Sequence, residues 1–491
     1  MSVDRPSSPL ARTTGIFFGI AIICAAFADL AITTVDPWAE FGRLLNGVIT
    51  PDFFSTDSLA LSLGYTIAFA ILGVALANLA GLGLALLFFS RTVRVFCAVI
   101  RAVHELFWAL IFLQLFGLSP LTGILAIAVP YAGIIAKVYA EILEEADQTP
   151  LKALPAGTGW ASSYLFVRLP DAWVHFKSYS MYRLECGLRS SAVLGFIGLP
   201  TLGFHLETAF KEGLYSEVSA LLILFYVVIA TMRFWMKRPL LPLYLVAAAL
   251  ILPWGVEFSL SNIARFLTED IVPFPLRDST ASMGDWLHLL LVQQAWPGVV
   301  ATLQLTMIAL LVTGLLTMLF FPLISPLLLG AKSRVVGHVF LVIARSTPEY
   351  LLAFILLQLW GPSMLPAVVA LSLHNGAIIG HLVGRYTENI RLRPDAASGA
   401  NKYFYEVSPR VYRPMLALLF YRWEVILRET AILGMLGIAT LGFYVDSAFA
   451  DLRFDRALVL IAVTALLNIC IDAISRAVRS HLRLQTSLEH R

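Results

Sequence analysis

The sequence predicts an all-α polytopic membrane protein of about twelve transmembrane helices, arranged as two parallel six-helix repeats. Three observations carry that expectation. The 491 residues are 59% hydrophobic and only 14% charged, with a mean hydropathy of +0.81, whereas soluble domains hold about 25% charged residues. The apolar residues gather into runs long enough to cross a bilayer, for which a helix needs about 20 residues. A cassette also occurs twice: YRLECGLRSSAVLGFIGLPTLGF (182–204) and YRWEVILRETAILGMLGIATLGF (421–443) agree at 13 of 23 positions.

In chain order, the expected spans of the first half are 14–34, 59–89, 105–118, 121–140, 186–204 and 217–236. Those of the second half are 240–258, 297–328, 338–360, 364–384, 425–445 and 457–476. The first span follows a basic start and has no obvious small-residue cleavage site, so it reads as a retained helix rather than a removed signal. The third span of each half is the weakest, because it begins among charges. Arg5 and Arg12, then Arg91, Arg94 and Arg101, then Lys237 and Arg238 all fall on one side of this arrangement. Lys332 and Arg334, and Arg476, Arg479 and Arg483, fall on the same side. Basic short loops mark the cytoplasmic face, so both termini are expected there.

The two domains expected are 1–238 and 239–491. HELFWALIFLQLFG (104–117) aligns with PEYLLAFILLQLWG (348–361), and PYAGIIAKVY (130–139) with HNGAIIGHLV (374–383), both at an offset of 244. The cassette aligns at 239. An even number of spans per half makes the repeat parallel, and two such halves put a pathway between them. The net charge of +3 is small and says little about acidic partners. Cys24, Cys97, Cys186 and Cys470 fit neither a disulfide framework nor a metal spacing, and read as packing residues.

Within each cassette a charged start turns into an apolar, glycine-bearing run. Glu185 and Arg189, like Glu424 and Arg428, are four apart and share a helix face, while Arg183 and Arg422 point elsewhere. Gly195, Gly198 and Gly203, and Gly434, Gly437 and Gly442, allow close helix approach. The expected element is a helix anchored at the cytoplasmic interface by an ion pair and packed tightly deeper in. Before each cassette runs a long cytoplasmic loop, about 142–180 and 386–418, with Gly and Pro breaks. A matched pair of loops suits a two-fold symmetric cytoplasmic partner.

These features resemble the permease subunits of ABC importers of the phosphonate type. RSTPEYLLAFILLQLWG is similar to that family's Arg-x-x-Pro-Glu segment, ALSLHNGAIIGHL to its Leu-His-x-x-Gly helix, and the cassettes to its Tyr-Arg-x-Glu-x-x-x-Arg segment. The family's coupling loop, Glu-Ala-Ala…Gly…Leu-Pro, is matched by Gly157 and by Val167, Leu169 and Pro170, with Leu151, Lys152 and Ala153 where Glu-Ala-Ala would stand. The second loop offers Asp395, Ala396, Ala397 and Gly399, without a clean Leu-Pro. Usual members are half this length, so the chain looks like two permease units fused in an importer type I-like transmembrane domain. The first unit departs more, with His104 and Pro130 in place of the second unit's Pro348 and His374.

The resemblance implies a bacterial inner-membrane permease carrying a small phosphorus oxyanion of the phosphonate, phosphite or phosphate class by alternating access. Its implied partners are a cytoplasmic ATP-binding subunit dimer and an extracytoplasmic substrate-binding protein, with no nucleic acid. The chain lacks Gly-x-x-x-x-Gly-Lys-Ser/Thr, so no cofactor is expected on it, and ATP and Mg belong to the partner ATPase. It also lacks a Ser/His/Asp spacing and a His-Glu-x-x-His cluster, which argues against a membrane enzyme. The alternative is an ion-coupled secondary transporter of a small anion. Polar residues within apolar spans are functional candidates: Glu105, Arg345, Glu349, His374 and Asn375 are assigned to the path or gate, while Gln114 and Gln358 suit interhelical hydrogen bonding. The spacings Arg101–Glu105 and Arg345–Glu349 are i, i+4, and predict pairs that anchor a gate.

Overall fold

The computed structural model describes residues 9–146, 154–155, 157–255, 259–278 and 280–484, and all regular structure among them is helical. The principal helices are α1 (Pro9–Phe27), α2 (Leu59–Leu86), α3 (Arg91–Ala102), α4 (Glu105–Phe116), α5 (Pro120–Glu145), α6 (Leu169–Val193), α7 (Leu202–Lys211), α8 (Tyr215–Trp235) and α9 (Leu241–Ile251). They continue with α10 (Trp296–Phe320), α11 (Ala331–Ser346), α12 (Glu349–Trp360), α13 (Met364–Tyr386), α14 (Ser408–Met435), α15 (Leu441–Ala450) and α16 (Phe454–His481).

Among the described residues, seven helices are long and apolar enough to cross a membrane, or up to 10 if each of three bent pairs counts as one span. The expectation of twelve straight spans is corrected in three places. The third span falls at a bent pair in each half: 105–118 is one limb where α3 meets α4 at 91°, and 338–360 runs across the bend where α11 meets α12 at 92°. Arg91, Arg94 and Arg101 therefore ride on a helix rather than in a loop. The expected span 240–258 contracts to the 11 residues of α9, about 16 Å of helix against a hydrocarbon core of about 30 Å. The expected spans 186–204 and 425–445 run across helix breaks.

Two compact units are formed, one by 44–271 and one by 1–43 with 272–491. In the second, α1 packs on the helices of the second repeat. Phe17 meets Phe420 and Trp423 edge-on at 4.9 and 5.2 Å, and Tyr412 Oη donates to Thr14 Oγ1 at 2.8 Å. In the first, α9 lies against α2, where a Cβ on Gly64 would come within 2.6 Å of Ile251 Cδ1. Each repeat's first helix is thus held by the other repeat's long core helix. Composition gives no hint of this, because an apolar helix fits either surface.

The duplicated cassette explains itself locally. α6 ends in a tight turn at Leu194–Ile197, the chain reverses at Gly198 (φ +89°), and α7 folds back. α14, Gly437 (φ +87°) and α15 repeat that course. A left-handed residue at a helix end favours glycine. The return is so close that a Cβ on Gly195 would sit 2.1 Å from the Phe204 amide nitrogen, and one on Gly434 would sit 2.1 Å from that of Phe443. The glycines therefore serve contact inside the cassette. A threonine of the adjacent long helix caps each returning helix: Leu202 N–H donates to Thr66 Oγ1 at 2.9 Å and Leu441 N–H to Thr302 Oγ1 at 3.0 Å.

Candidate functional site

The breaks between α3 and α4 and between α11 and α12 each build a polar site. Val103 and Thr347 are extended, and Thr347 precedes a proline, which disfavours helical backbone there. Glu105 and Glu349 then become the first residues of new helices, where the helix dipole favours a carboxylate. The i, i+4 spacings Arg101–Glu105 and Arg345–Glu349 each cross a right-angle bend, so neither couple lies along one continuous helix.

In the second repeat, α13 brings His374 and Asn375 to Glu349, and α14 adds Glu429 and Arg422. His374 and Asn375 are 2% and 0% exposed, and Glu429 is 9% exposed. The Thr347 carbonyl accepts from His374 Nδ1 at 2.8 Å, so the ring proton sits on Nδ1. His374 Nε2 then faces Glu349 Oε2 at 3.8 Å, a contact that attracts only when the pair holds one further proton. Asn375 Nδ2 donates to Glu429 Oε2 at 3.0 Å and to the Leu371 carbonyl at 2.9 Å. Arg422 Nη1 lies 3.9 Å from Glu429 Oε1. One ligand atom each of Glu349, His374 and Glu429 falls within 4.8 Å of the others, close enough to share a cation or a proton.

The first repeat builds the same site from other residues. Its histidine precedes the glutamate: His104 caps α4, its Nδ1 accepting from the Leu106 amide at 3.2 Å, and its Nε2 lies 3.9 Å from Glu105 Oε2. Here Nε2 carries the proton, so a neutral ring already suits the carboxylate. Ser190 stands where Glu429 stands in the other repeat. It donates to Glu105 Oε1 at 2.8 Å and accepts from Tyr131 Oη at 2.9 Å. Arg183, the counterpart of Arg422, lies over the rings of Tyr131, Tyr179 and Tyr182 at 5.0–5.6 Å, with Nε donating to Tyr179 Oη at 2.7 Å. A His–Glu contact is thus kept in both repeats through different positions, while the carboxylate of Glu429 in one is replaced by the hydroxyl of Ser190 in the other.

The remaining candidates are placed as follows. Glu185 and Arg189 lie on α6, and Glu424 and Arg428 on α14, all half-buried, so each couple does share one helix. Gln114 and Gln358 are half-buried on α4 and α12. Cys97 is buried and Cys24 and Cys186 half-buried, but Cys470 faces outward from α16, contrary to a packing role within the chain. Leu151, Lys152 and Ala153 lie outside the described residues. Gly157 is an exposed turn glycine with φ +97°, and Val167 closes a π-helical turn (Tyr164–Arg168) before Leu169 and Pro170 open α6.

In the second loop Asp395 lies in an exposed turn, the half-buried Ala396 and Ala397 follow it, and Gly399 (φ +61°) starts a short helix. That helix leads into a second π-helical turn, Lys402–Val407, after which Ser408 and Pro409 open α14. Pro409 falls on Pro170 at the cassette offset of 239, so the second loop ends like the first despite lacking Leu-Pro. Phe166 and Tyr405, at the same offset, are 79% and 76% exposed. The offset was the available signal for Pro409, Tyr405 and Ser190. Glu429 stood in the quoted cassette, seven residues after Arg422 and on its face, and was passed over.

The chain is 26% identical to the phosphate-import permease protein PhnE of Mycolicibacterium smegmatis over 525 aligned residues, covering 94% of this chain and 93% of that one. It is 29% identical over 220 residues to the phosphite transport system permease protein PtxC of Stutzerimonas stutzeri, covering 42% of this chain and 80% of the relative. A relative from Escherichia coli named for a cryptic phosphonate transport system, PhnE2, is 28% identical over 115 residues, 94% of its length. No family model and no solved structure matches the chain. The resemblance to phosphonate-type permeases is borne out by these relatives, and the near full-length match fits a fused double permease. The relatives are transport permeases rather than enzymes.

Proposed function

We propose that this chain is the transmembrane permease of an ATP-driven importer for a small phosphorus oxyanion of the phosphate, phosphite or phosphonate class. Two six-helix permease units are fused in it, both termini face the cytoplasm of a bacterial inner membrane, and transport proceeds by alternating access. A separate subunit dimer binds ATP with Mg and hydrolyses it, and an extracytoplasmic binding protein delivers the anion. The observation that supports this most is the likeness to a phosphate-import permease along 94% of the chain. The paired loops support it too. Each presents an exposed aromatic, Phe166 or Tyr405, on a π-helical turn directly before a proline-started helix, which suits insertion into two equivalent grooves of a partner.

The Glu349–His374–Glu429 group, in which His374 and Glu429 are buried, favours one second reading, an ion-coupled transporter of a small anion, because such coupling needs a buried acid or base. Copurification with the ATPase and binding protein encoded beside this chain separates the two. The proposal expects ATP hydrolysis stimulated by the oxyanion, and a chain that transports without any ATPase contradicts it.

A further inference from the structure

His381 is a buried polar side chain that the site above does not use. It lies on α13, 5% exposed, and neither ring nitrogen has a hydrogen-bond partner. Leaving such a group unpaired is costly, so its retention asks for a reason. The His338 ring, from α11, lies 5.3 Å away, and Arg345 of α11 and Arg385 of α13 are within electrostatic reach. Both arginines that act on the ring, Arg345 and Arg385, are cationic. His338 and Arg385 are exposed and Arg345 half-buried, so the group has an open mouth and a buried floor.

The repeat carries the pattern across. At the offset of 244, Arg94, Arg101 and Lys137 stand at the positions of His338, Arg345 and His381, on α3 and α5. Residue type changes while basic character stays, which packing alone does not require. The fourth position differs: Glu141 stands where Arg385 does, and its carboxylate lies 3.7 Å from Lys137 Nζ. The first unit thus compensates its half-buried cation from within. The second carries a further cation there instead.

We infer that His338, Arg345, His381 and Arg385 form a binding site for a phosphate-class oxyanion in the second unit, a stopping place on the transport route. The inference rests on the transport reading above. Guanidinium groups present paired N–H donors that match a tetrahedral oxyanion, and an imidazole N–H at the floor gains the partner it lacks. Only one of the two repeats holds an anion in this way, because Glu141 takes the anion's place in the other.

The test uses the full chain in phosphatidylcholine nanodiscs, titrated with inorganic phosphate and followed by phosphorus NMR line broadening, which detects weak binding. Saturable broadening is expected for the wild type. His338→Gln and Arg385→Glu, both at exposed positions, are each expected to weaken it at least tenfold with melting temperature unchanged. No saturable broadening in the wild type, or wild-type broadening in both variants, overturns the site. Phosphatidylglycerol discs test the other source of phosphate chemistry: if that lipid abolishes phosphate binding, the cluster holds a lipid headgroup and the inference fails. Uptake by the reconstituted complex separates this claim from its premise. Arg385→Glu matching a working wild type removes only the site, whereas a wild type that takes up no oxyanion removes the transport reading.

Discussion

The hydrogen bond from Asn375 to Glu429 makes the most quantitative claim about the site. Its donor is fully buried, its acceptor nearly so, and their separation is 3.0 Å. A hydrogen bond to a charged group contributes about 1.5–3 kcal/mol, and the loss of either partner removes that contribution from a buried site. Arg422, at 3.9 Å and on the other carboxylate oxygen, is beyond hydrogen-bond reach and does not replace the amide. A double-mutant cycle of Asn375→Ala and Glu429→Ala, unfolded in mixed micelles, isolates the pair. Each single change is expected to destabilise, and the double change to cost less than their sum by about 1.5–3 kcal/mol, roughly 10–150-fold in the folded-to-unfolded ratio. Additivity within about 0.5 kcal/mol refutes the pairing, because uncoupled sites add to that precision.

Other outcomes follow from the same geometry. Gly434→Ala drives a Cβ into backbone that cannot yield, and is expected to lower the melting temperature in detergent sharply, whereas Gly83→Ala, with nothing within 4 Å in mid-helix, should hold or raise it by the equivalent of about 0.5–1 kcal/mol. Thr66→Val and Thr302→Val each remove one cap acceptor and should destabilise equally, by about 1 kcal/mol; a large inequality argues against equivalent cassettes. Glu349→Gln is expected to reduce uptake at normal membrane levels, and unchanged uptake removes Glu349 from the site. Phe166→Ser and Tyr405→Ser, both at exposed positions, should leave folding intact but weaken copurification with the ATPase, and full recovery of the partner from both variants argues against docking through these turns.

How much of this was legible in the sequence differs by level. Class and duplication were, because composition and a 23-residue repeat survive divergence of individual residues. The helix breaks were foreshadowed only as weak third spans: charges at 101–105 and 345–349 signalled trouble in a continuous helix, but not a right-angle bend. His374, Asn375 and Glu349 were found as polar residues in apolar runs, and the structure brings all three together. Glu429 and Ser190 were missed, since residues from separate helices meet only after α14 and α6 have packed. That His104 takes the role of His374 from a different position is invisible to an alignment, which pairs His374 with Pro130. The exchange of α1 and α9 between repeats was illegible for another reason: lipid-facing apolar helices carry little information about which neighbour they choose.

The central claim is energised oxyanion transport by this chain as the membrane subunit, and radiolabelled phosphate or phosphite uptake into proteoliposomes tests it most directly. With the chain, its neighbouring ATPase and its binding protein present, uptake is predicted to require ATP on the ATPase side and to stop when any one component is left out. Uptake by the chain alone, driven by an ion gradient and indifferent to ATP, would contradict the account.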